Sequence, residues 1–131
     1  KTVLISYNQN YEKIAMGLLS YIADLKNVER LQKEMESYIS EEDKRLFLWR
    51  DTETDNIIAI IGIEWAESIV LVRHISVNPS FRNEGIMHKM LDKLKTRFPD
   101  QTINGTLETV PIITKWVQKN AETSSELDDE E

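Results

Sequence analysis

The segment Arg73 to Leu91, RHISVNPSFRNEGIMHKML, combines the features best suited to holding an anion. An apolar strand pattern runs into a polar turn, and the turn opens at once into an amphipathic helix. The first N–H groups of a helix have no intrahelical acceptor and lie at the positive end of its dipole, so phosphate-class anions bind there. Gly85 lets the main chain approach a ligand with no Cβ in between. Arg82 can add a charge-assisted contact to a phosphate. A loop glycine and a surface arginine before an ordinary helix would read the same way, because short glycine motifs recur by chance. A P-loop would need a Gly-Lys-Ser or Gly-Lys-Thr ending, which is absent.

Two side chains near this turn could move a proton. His74 lies on the strand leading to it, and imidazole titrates near neutral pH. Glu64 stands late in the preceding apolar run, beside Trp65. Each also has a plainer reading, His74 as a packed, hydrogen-bonded strand histidine and Glu64 as an edge carboxylate. Trp49, Trp65 and Trp116 read as core or rim residues. There is no cysteine, which excludes disulfides, thiolate zinc sites and a cysteine nucleophile. No metal site is expected.

Regular elements must place these groups. Thr2 to Tyr7 is a β-rich run ended by Asn8 and Asn10. Tyr11, Ile14, Ala15, Leu18, Leu19 and Ile22 then follow helical spacing, as do Leu25, Val28, Leu31, Met35, Tyr38 and Ile39. Arg45–Arg50, Ile57–Trp65 and Ile69–Val77 read as three strands with short polar breaks, hence as antiparallel hairpins. The third begins apolar on both faces, as a central strand does, and Asn78-Pro79 ends it. Gly85–Phe98 reads as a helix, Thr102–Leu107 as a strand and Pro111–Lys119 as a short last helix.

The 131 residues, 40% of them hydrophobic, suffice for one core and one domain, placed at residues 1–120. Residues 121–131 carry six acids and no base and are expected to be a disordered acidic tail. The rest of the chain is then close to neutral, which argues against a nucleic-acid partner because phosphate binding needs a basic face. The longest apolar run, Ile57 to Ile63, is too short to span a bilayer, and the N-terminus lacks a secretory pattern. No membrane partner and a cytoplasmic location are therefore expected.

The run HISVNPSFRNEGIMHKML resembles the central motif of the GNAT superfamily of N-acetyltransferases, and the element order over residues 2–120 resembles that fold. A narrower resemblance, in YEKIAMGLLS, LFLWR and RHISVNPS, is to RibT-type acetyltransferases encoded with bacterial riboflavin-synthesis enzymes. The resemblance implies an α/β fold of the α+β type, with a mixed, mostly antiparallel sheet flanked by helices. It also implies that the co-substrate is acetyl-coenzyme A. The main chain of Ile75, Ser76 and Val77 would pair with the pantetheine arm. Arg82, Asn83, Gly85, Ile86 and Met87 would give N–H groups to the pyrophosphate, with the Glu84 side chain pointing away.

Two departures from the family pattern stand out. Met87 occupies a position the family keeps as Gly or Ala, and its spacing to Leu91 suggests that it packs inward. The Gly-Phe pair and last strand are missing after Trp116, so the C-terminal, acceptor side is abbreviated. Acetyl transfer needs a proton route for the attacking ammonium, and positioning and backbone polarisation supply much of the rest. His74 and Glu64 are the catalytic candidates. The implied activity is acetyl-coenzyme A-dependent N-acetylation of a small amine or a protein amine, by a monomer or homodimer. The alternative is a coenzyme A-binding regulatory or scaffolding module of the same fold, linked to riboflavin synthesis, with little or no catalysis.

Overall fold

A computed structural model describes residues 1–129, of which 83, 84 and 123–129 are described by backbone alone. The chain runs β1 (Thr2–Ser6), α1 (Glu12–Leu19), α2 (Val28–Ser40), β2 (Lys44–Asp51), β3 (Ile57–Trp65), β4 (Ile69–Val77), α3 (Ile86–Arg97), β5 (Thr102–Gly105) and α4 (Val110–Asp129). Short 3-10 turns at Gln9–Tyr11, Ala23–Leu25 and Pro79–Glu84 lead into α1, α2 and α3. The sheet is five-stranded in the order β1-β2-β3-β4-β5. The first three pairings are antiparallel and β4 pairs with β5 in parallel, as a strand reached through a crossover helix must. The mixed, mostly antiparallel sheet expected from the sequence is present.

Strand alternation divides the core between the two faces of the sheet. On one face Leu46, Leu48 and Ile60 pack with Ala15, Leu18 and Leu19 of α1 and with Leu31, Met35 and Tyr38 of α2. On the other, Phe47, Trp49, Ile61, Ile63, Val70 and Val72 pack with Met90, Leu91 and Leu94 of α3 and with Ile113 and Trp116 of α4. β3 is apolar on both faces because helices cover both. Trp116 Nε1 donates to Asp92 Oδ1 at 2.8 Å, which ties α4 to α3.

Several boundaries differ from the sequence expectation. The first apolar stripe does not continue helically to Ile22, since α1 stops at Leu19 and Ile22 is extended at φ −77°, ψ 130°. Leu25 lies ahead of α2, whose N-terminus is set by Asn27 accepting from the Arg30 N–H at 3.2 Å. β5 ends at Gly105 because a Cβ there would lie 2.7 Å from Thr109 Oγ1 and 2.9 Å from the Val110 nitrogen. That close turn sends the chain straight into α4, and Leu107, expected in the strand, is exposed.

α4 also continues past Lys119 to Asp129, so the boundary expected after residue 120 falls inside helical backbone. Past Pro111 the helix meets neither glycine nor proline, and Ala121, Glu122, Glu126 and Leu127 are good helix formers. Residues 130 and 131 lie outside the described residues. Of the described side chains of α4, Ile113 and Trp116 are the buried ones. Truncation after Asn120 is therefore expected to change the free energy of unfolding by less than about 0.5 kcal/mol, the range of surface changes. Urea denaturation of the two forms would check this.

Candidate active site

The site begins with a fault in strand pairing. Gly62 of β3 faces His74, while the next residue, Ile63, faces Val72, so Arg73 is an extra residue on β4. Such a β-bulge interrupts the alternation of side chains. Val70 and Val72 before it, and Ile75 and Val77 after it, all enter the core shared with α3 and α4. Arg73 and His74 therefore point together to the opposite face, toward α2. Neither helix periodicity nor strand alternation could show this in the sequence. Gly62, a lone glycine inside an apolar strand, was the one local signal.

Polar partners on α2 hold both side chains. Arg73 donates to both carboxylate oxygens of Glu34, at 2.8 and 3.2 Å, and its guanidinium lies 5.4 Å from the centre of the Tyr38 ring. Tyr38 Oη lies 2.6 Å from His74 Nδ1, and the rings meet edge to face. Gly62 makes room for this, since a Cβ there would overlap the Tyr38 hydroxyl. Burial raises the Glu34 carboxyl pKa, but the hydrogen bonds and charge of Arg73 outweigh it and leave that pKa lowered. Burial also pushes the Tyr38 hydroxyl well above its ordinary range. It brings His74 down to about 4, with Glu34 opposing and Arg73 and Lys44 reinforcing the shift. His74 is thus a neutral, hydrogen-bonded histidine, and it still lines a cleft.

That cleft, of about 640 Å³, lies between the α1–α2 connection, β4, and the β5–α4 turn. Glu34, His74, Ile75, Met87, Glu108 and Thr109 are among its lining residues. It opens where β4 and β5 part, since their pairing ends at Val72 opposite Gly105. Thr109 Oγ1 donates to the Val72 carbonyl at 2.7 Å at this divide. Beyond it, the Asn78 N–H still donates to the Ile58 carbonyl of β3. By alternation the backbone groups of Ile75 and Val77 point the other way, along the edge that β5 has left.

The turn after β4 completes the open end. Asn83 and Glu84 lie in its 3-10 backbone, and the direction of the Glu84 side chain falls outside the described residues. Gly85 is left-handed at φ 67°, ψ 25°, and a Cβ added there would meet no atom within 4 Å. Having no side chain, Gly85 cannot cap α3. The N–H groups of Ile86, Met87 and His88 are those an α-helix leaves without an internal acceptor. Ile86 is buried in the core, so only its backbone faces the turn, and Met87 is half-buried against the core and the cleft. Arg82 Nε donates to the Val77 carbonyl at 3.3 Å and its guanidinium lies 5.5 Å from the centre of the Tyr21 ring. Arg82 therefore spans the open edge in this state.

Glu64 lies apart from this cleft. It is on the α2 face of β3, with Oε1 3.9 Å from Lys44 Nζ and its side chain 40% exposed. The structure thus brings His74, the open β4 edge and the α3 N-terminus to one cleft and leaves Glu64 outside its lining. The sequence reading missed Tyr38, Glu34 and Arg73 as site residues. Tyr38 also belongs to the apolar stripe of α2 that its spacing predicts.

The fold is that of N-acetyltransferases of known structure. It superposes on the aminoglycoside antibiotic 6'-N-acetyltransferase AAC(6')-Ih from Acinetobacter baumannii with a TM-score of 0.65 at 14% identity, covering 92% of this chain and 88% of that one. It superposes on AAC(6')-Iy, in complex with the bisubstrate analogue CoA-S-monomethyl-acetylneamine, with a TM-score of 0.70 at 13% identity and the same two coverages. At the sequence level, residues 15–116 match the acetyltransferase (GNAT) family. The chain is also 42% identical over 114 residues to an uncharacterized N-acetyltransferase in the lysA 3' region of Bacillus methanolicus, covering 86% of this chain and 93% of the relative. The chain therefore belongs to the GNAT family of acetyltransferases.

The buried His74 gives a stability signature. Unfolded, it takes up a proton near its ordinary 6.5, and folded only near 4. Between these values the unfolded chain binds more protons, so this contribution is fully present above pH 6.5 and is lost as the pH falls toward 4. The loss is expected to reach about 2–3 kcal/mol. Urea denaturation at steps from pH 7.5 to 4 should show a shallower slope in His74→Gln. An identical slope in the variant would assign the titration to another group.

Proposed function

We propose that the protein transfers the acetyl group of acetyl-coenzyme A to the nitrogen of a primary amine. The observation that carries this reading is the parting of β4 from β5 beyond Val72 and Gly105. It leaves a strand edge, an uncapped helix N-terminus and a histidine on one cleft. In this reading the outward backbone groups of Ile75 and Val77 pair with the amide-bearing pantetheine arm, while Ser76 between them keeps its own N–H and carbonyl toward β3. The N–H groups of Arg82, Asn83, Gly85, Ile86 and Met87 take the pyrophosphate, with Glu84 contributing backbone only. These residues fit such a group, because the turn offers donors without a Cβ at Gly85. Bound coenzyme would supply the activated thioester.

The chain's own residues would do the rest. Arg82 would exchange its bond to the Val77 carbonyl for a phosphate contact. His74, facing the cleft, would receive the proton of the acceptor ammonium. Glu64, which pairs with Lys44 outside the cleft lining, has the weaker claim to a catalytic role.

The acceptor class is a small amine or a protein amine. Among the described residues no strand follows β5. The segments YEKIAMGLLS, LFLWR and RHISVNPS support a RibT-type assignment, with a place beside riboflavin synthesis in the cytoplasm. No helix among the described residues is long and apolar enough to cross a membrane.

Thiol release from acetyl-coenzyme A in the presence of spermidine, tyramine, L-lysine or an alanyl-terminated peptide tests catalysis. Binding without amine-dependent release would favour a regulatory coenzyme A-binding module instead. Coenzyme A at about a hundred times its dissociation constant should stabilise the parent by roughly 2.7 kcal/mol. Gly85→Val should abolish that gain, with each variant compared against its own ligand-free form because the left-handed backbone alone costs roughly 1–2 kcal/mol. Arg82→Ala should weaken binding by about 1.5–3 kcal/mol, since one charged hydrogen bond is lost while the N–H groups remain. Calorimetric titration would order the three proteins, and full binding by Gly85→Val would place the phosphates elsewhere.

A further inference from the structure

His74 and its hydrogen-bond partner line different clefts. His74 lines the cleft at the open β4 edge. Its Nδ1 meets the Tyr38 hydroxyl at 2.6 Å, which leaves Nε2 as the ring nitrogen available to that cleft. Tyr38 in turn lines a second cleft of about 540 Å³, together with Tyr7, Glu41, Lys44 and Trp65. The hydroxyl reaches the imidazole across Gly62, where any Cβ would overlap it. The Arg73 guanidinium lies over the Tyr38 ring and is itself held by Glu34, so the ring is held on one face and at its hydroxyl.

We propose that Tyr38 is a positioning residue for the acetyl transfer, its hydroxyl and the His74 ring forming a relay that carries a proton from the first cleft to the second. This rests on the reading above that an amine acceptor enters the first cleft. In the resting pair Nδ1 carries the proton and donates it to Tyr38 Oη, leaving a lone pair on Nε2. When the acceptor ammonium loses a proton, its N–H bond breaks and an Nε2–H bond forms. The Nδ1–H bond breaks, its proton joins the Tyr38 oxygen, and the proton already there leaves to water in the second cleft. One proton enters, one leaves, and both rings end neutral. As the thioester is cleaved, a proton entering from the second cleft runs the same hops in reverse, the Nε2–H bond breaks to protonate the departing thiolate sulfur, and the resting tautomer is restored.

A relay suits this environment better than a base that must hold its proton. Glu34 from α2, Arg73 from β4, Lys44 from β2, Glu64 from β3 and Glu108 before α4 act electrostatically on the pair. Burial dominates among these influences and makes an imidazolium at His74 costly. Passing the proton through by tautomer exchange avoids that ion. The raised Tyr38 hydroxyl likewise stays protonated at either end of the cycle.

Tyr38→Phe keeps the ring and the Arg73 stack and removes only the relay oxygen. With acetyl-coenzyme A and the fastest of the four amines named above, it should lower kcat about tenfold or more, the scale of a lost proton-transfer group, and leave the KM for acetyl-coenzyme A unchanged. The proton inventory in mixed H2O and D2O should be curved in the parent, with more than one proton in flight, and linear in Tyr38→Phe. Adding Tyr38→Phe to His74→Gln should cost nothing further, as expected of groups acting as a unit. An unchanged kcat, or a curved inventory retained in Tyr38→Phe, would overturn the relay. Nitrogen-15 NMR of histidine-labelled protein decides independently of turnover. Resting His74 should carry its proton on Nδ1, and a ring protonated only on Nε2 would overturn the relay. If none of the amines releases thiol, the acetyl-transfer reading fails by itself, and the NMR result still judges the relay.

Discussion

One surplus residue in β4 governs the geometry of the site. Because Arg73 has no partner on β3, two consecutive side chains leave the strand on the same face and meet Glu34 and Tyr38 on α2. A bulge also increases local twist, and β4 parts from β5 just before it, at Val72. The placement of His74 follows from that irregularity, and the strand edge and cleft begin beside it, where β5 ends at Gly105. Gly62 faces the bulge because the Tyr38 hydroxyl occupies the space a side chain would need.

Placing charged and polar groups beside an apolar sheet is costly unless each is answered. Here Glu34 and Arg73 satisfy one another in a two-oxygen pairing, with both side chains only about a quarter exposed. That leaves Tyr38 and His74 as an uncharged pair within the same group. The result is a rigid polar patch on the α2 side of a core that is otherwise apolar on both faces. Across the cleft, the β5–α4 turn is closed by its own bonds, with the Thr106 N–H donating to Thr109 Oγ1 at 2.9 Å and the Thr109 hydroxyl donating to Val72. The two walls of the cleft are therefore built by independent networks that share β4.

Much of the framework was readable in the residues. Apolar, β-like runs between short polar breaks located β2, β3 and β4 to within a residue, and the apolar row from Ile86 to Leu94 located α3. The turn at Gly85 was readable because a left-handed residue there favours glycine. Errors arose where long-range contact decides the outcome. The end of β5 depends on Thr109 and Val110 pressing on Gly105, and the length of α4 on the lack of any breaker after Pro111. The partners of His74 and Arg73 lie 36 and 39 residues away, and no spacing rule joins them. A tyrosine on an apolar helix stripe gives no hint that its hydroxyl is engaged.

The connections between strands also bear on how the molecule assembles. β2, β3 and β4 are joined by tight turns, closed by the Asp51 N–H on the Asn56 carbonyl and the Ala66 N–H on the Ile69 carbonyl. Short loops close at low entropic cost and quickly, whereas β1 reaches β2 across both α1 and α2, and β5 reaches β4 across α3. Loop length alone predicts that the three-stranded meander pairs first and that the two outer strands add to it later with their helices. In that order the cleft, which lies between those additions, would form last, on a β4 whose bulge against β3 is already set.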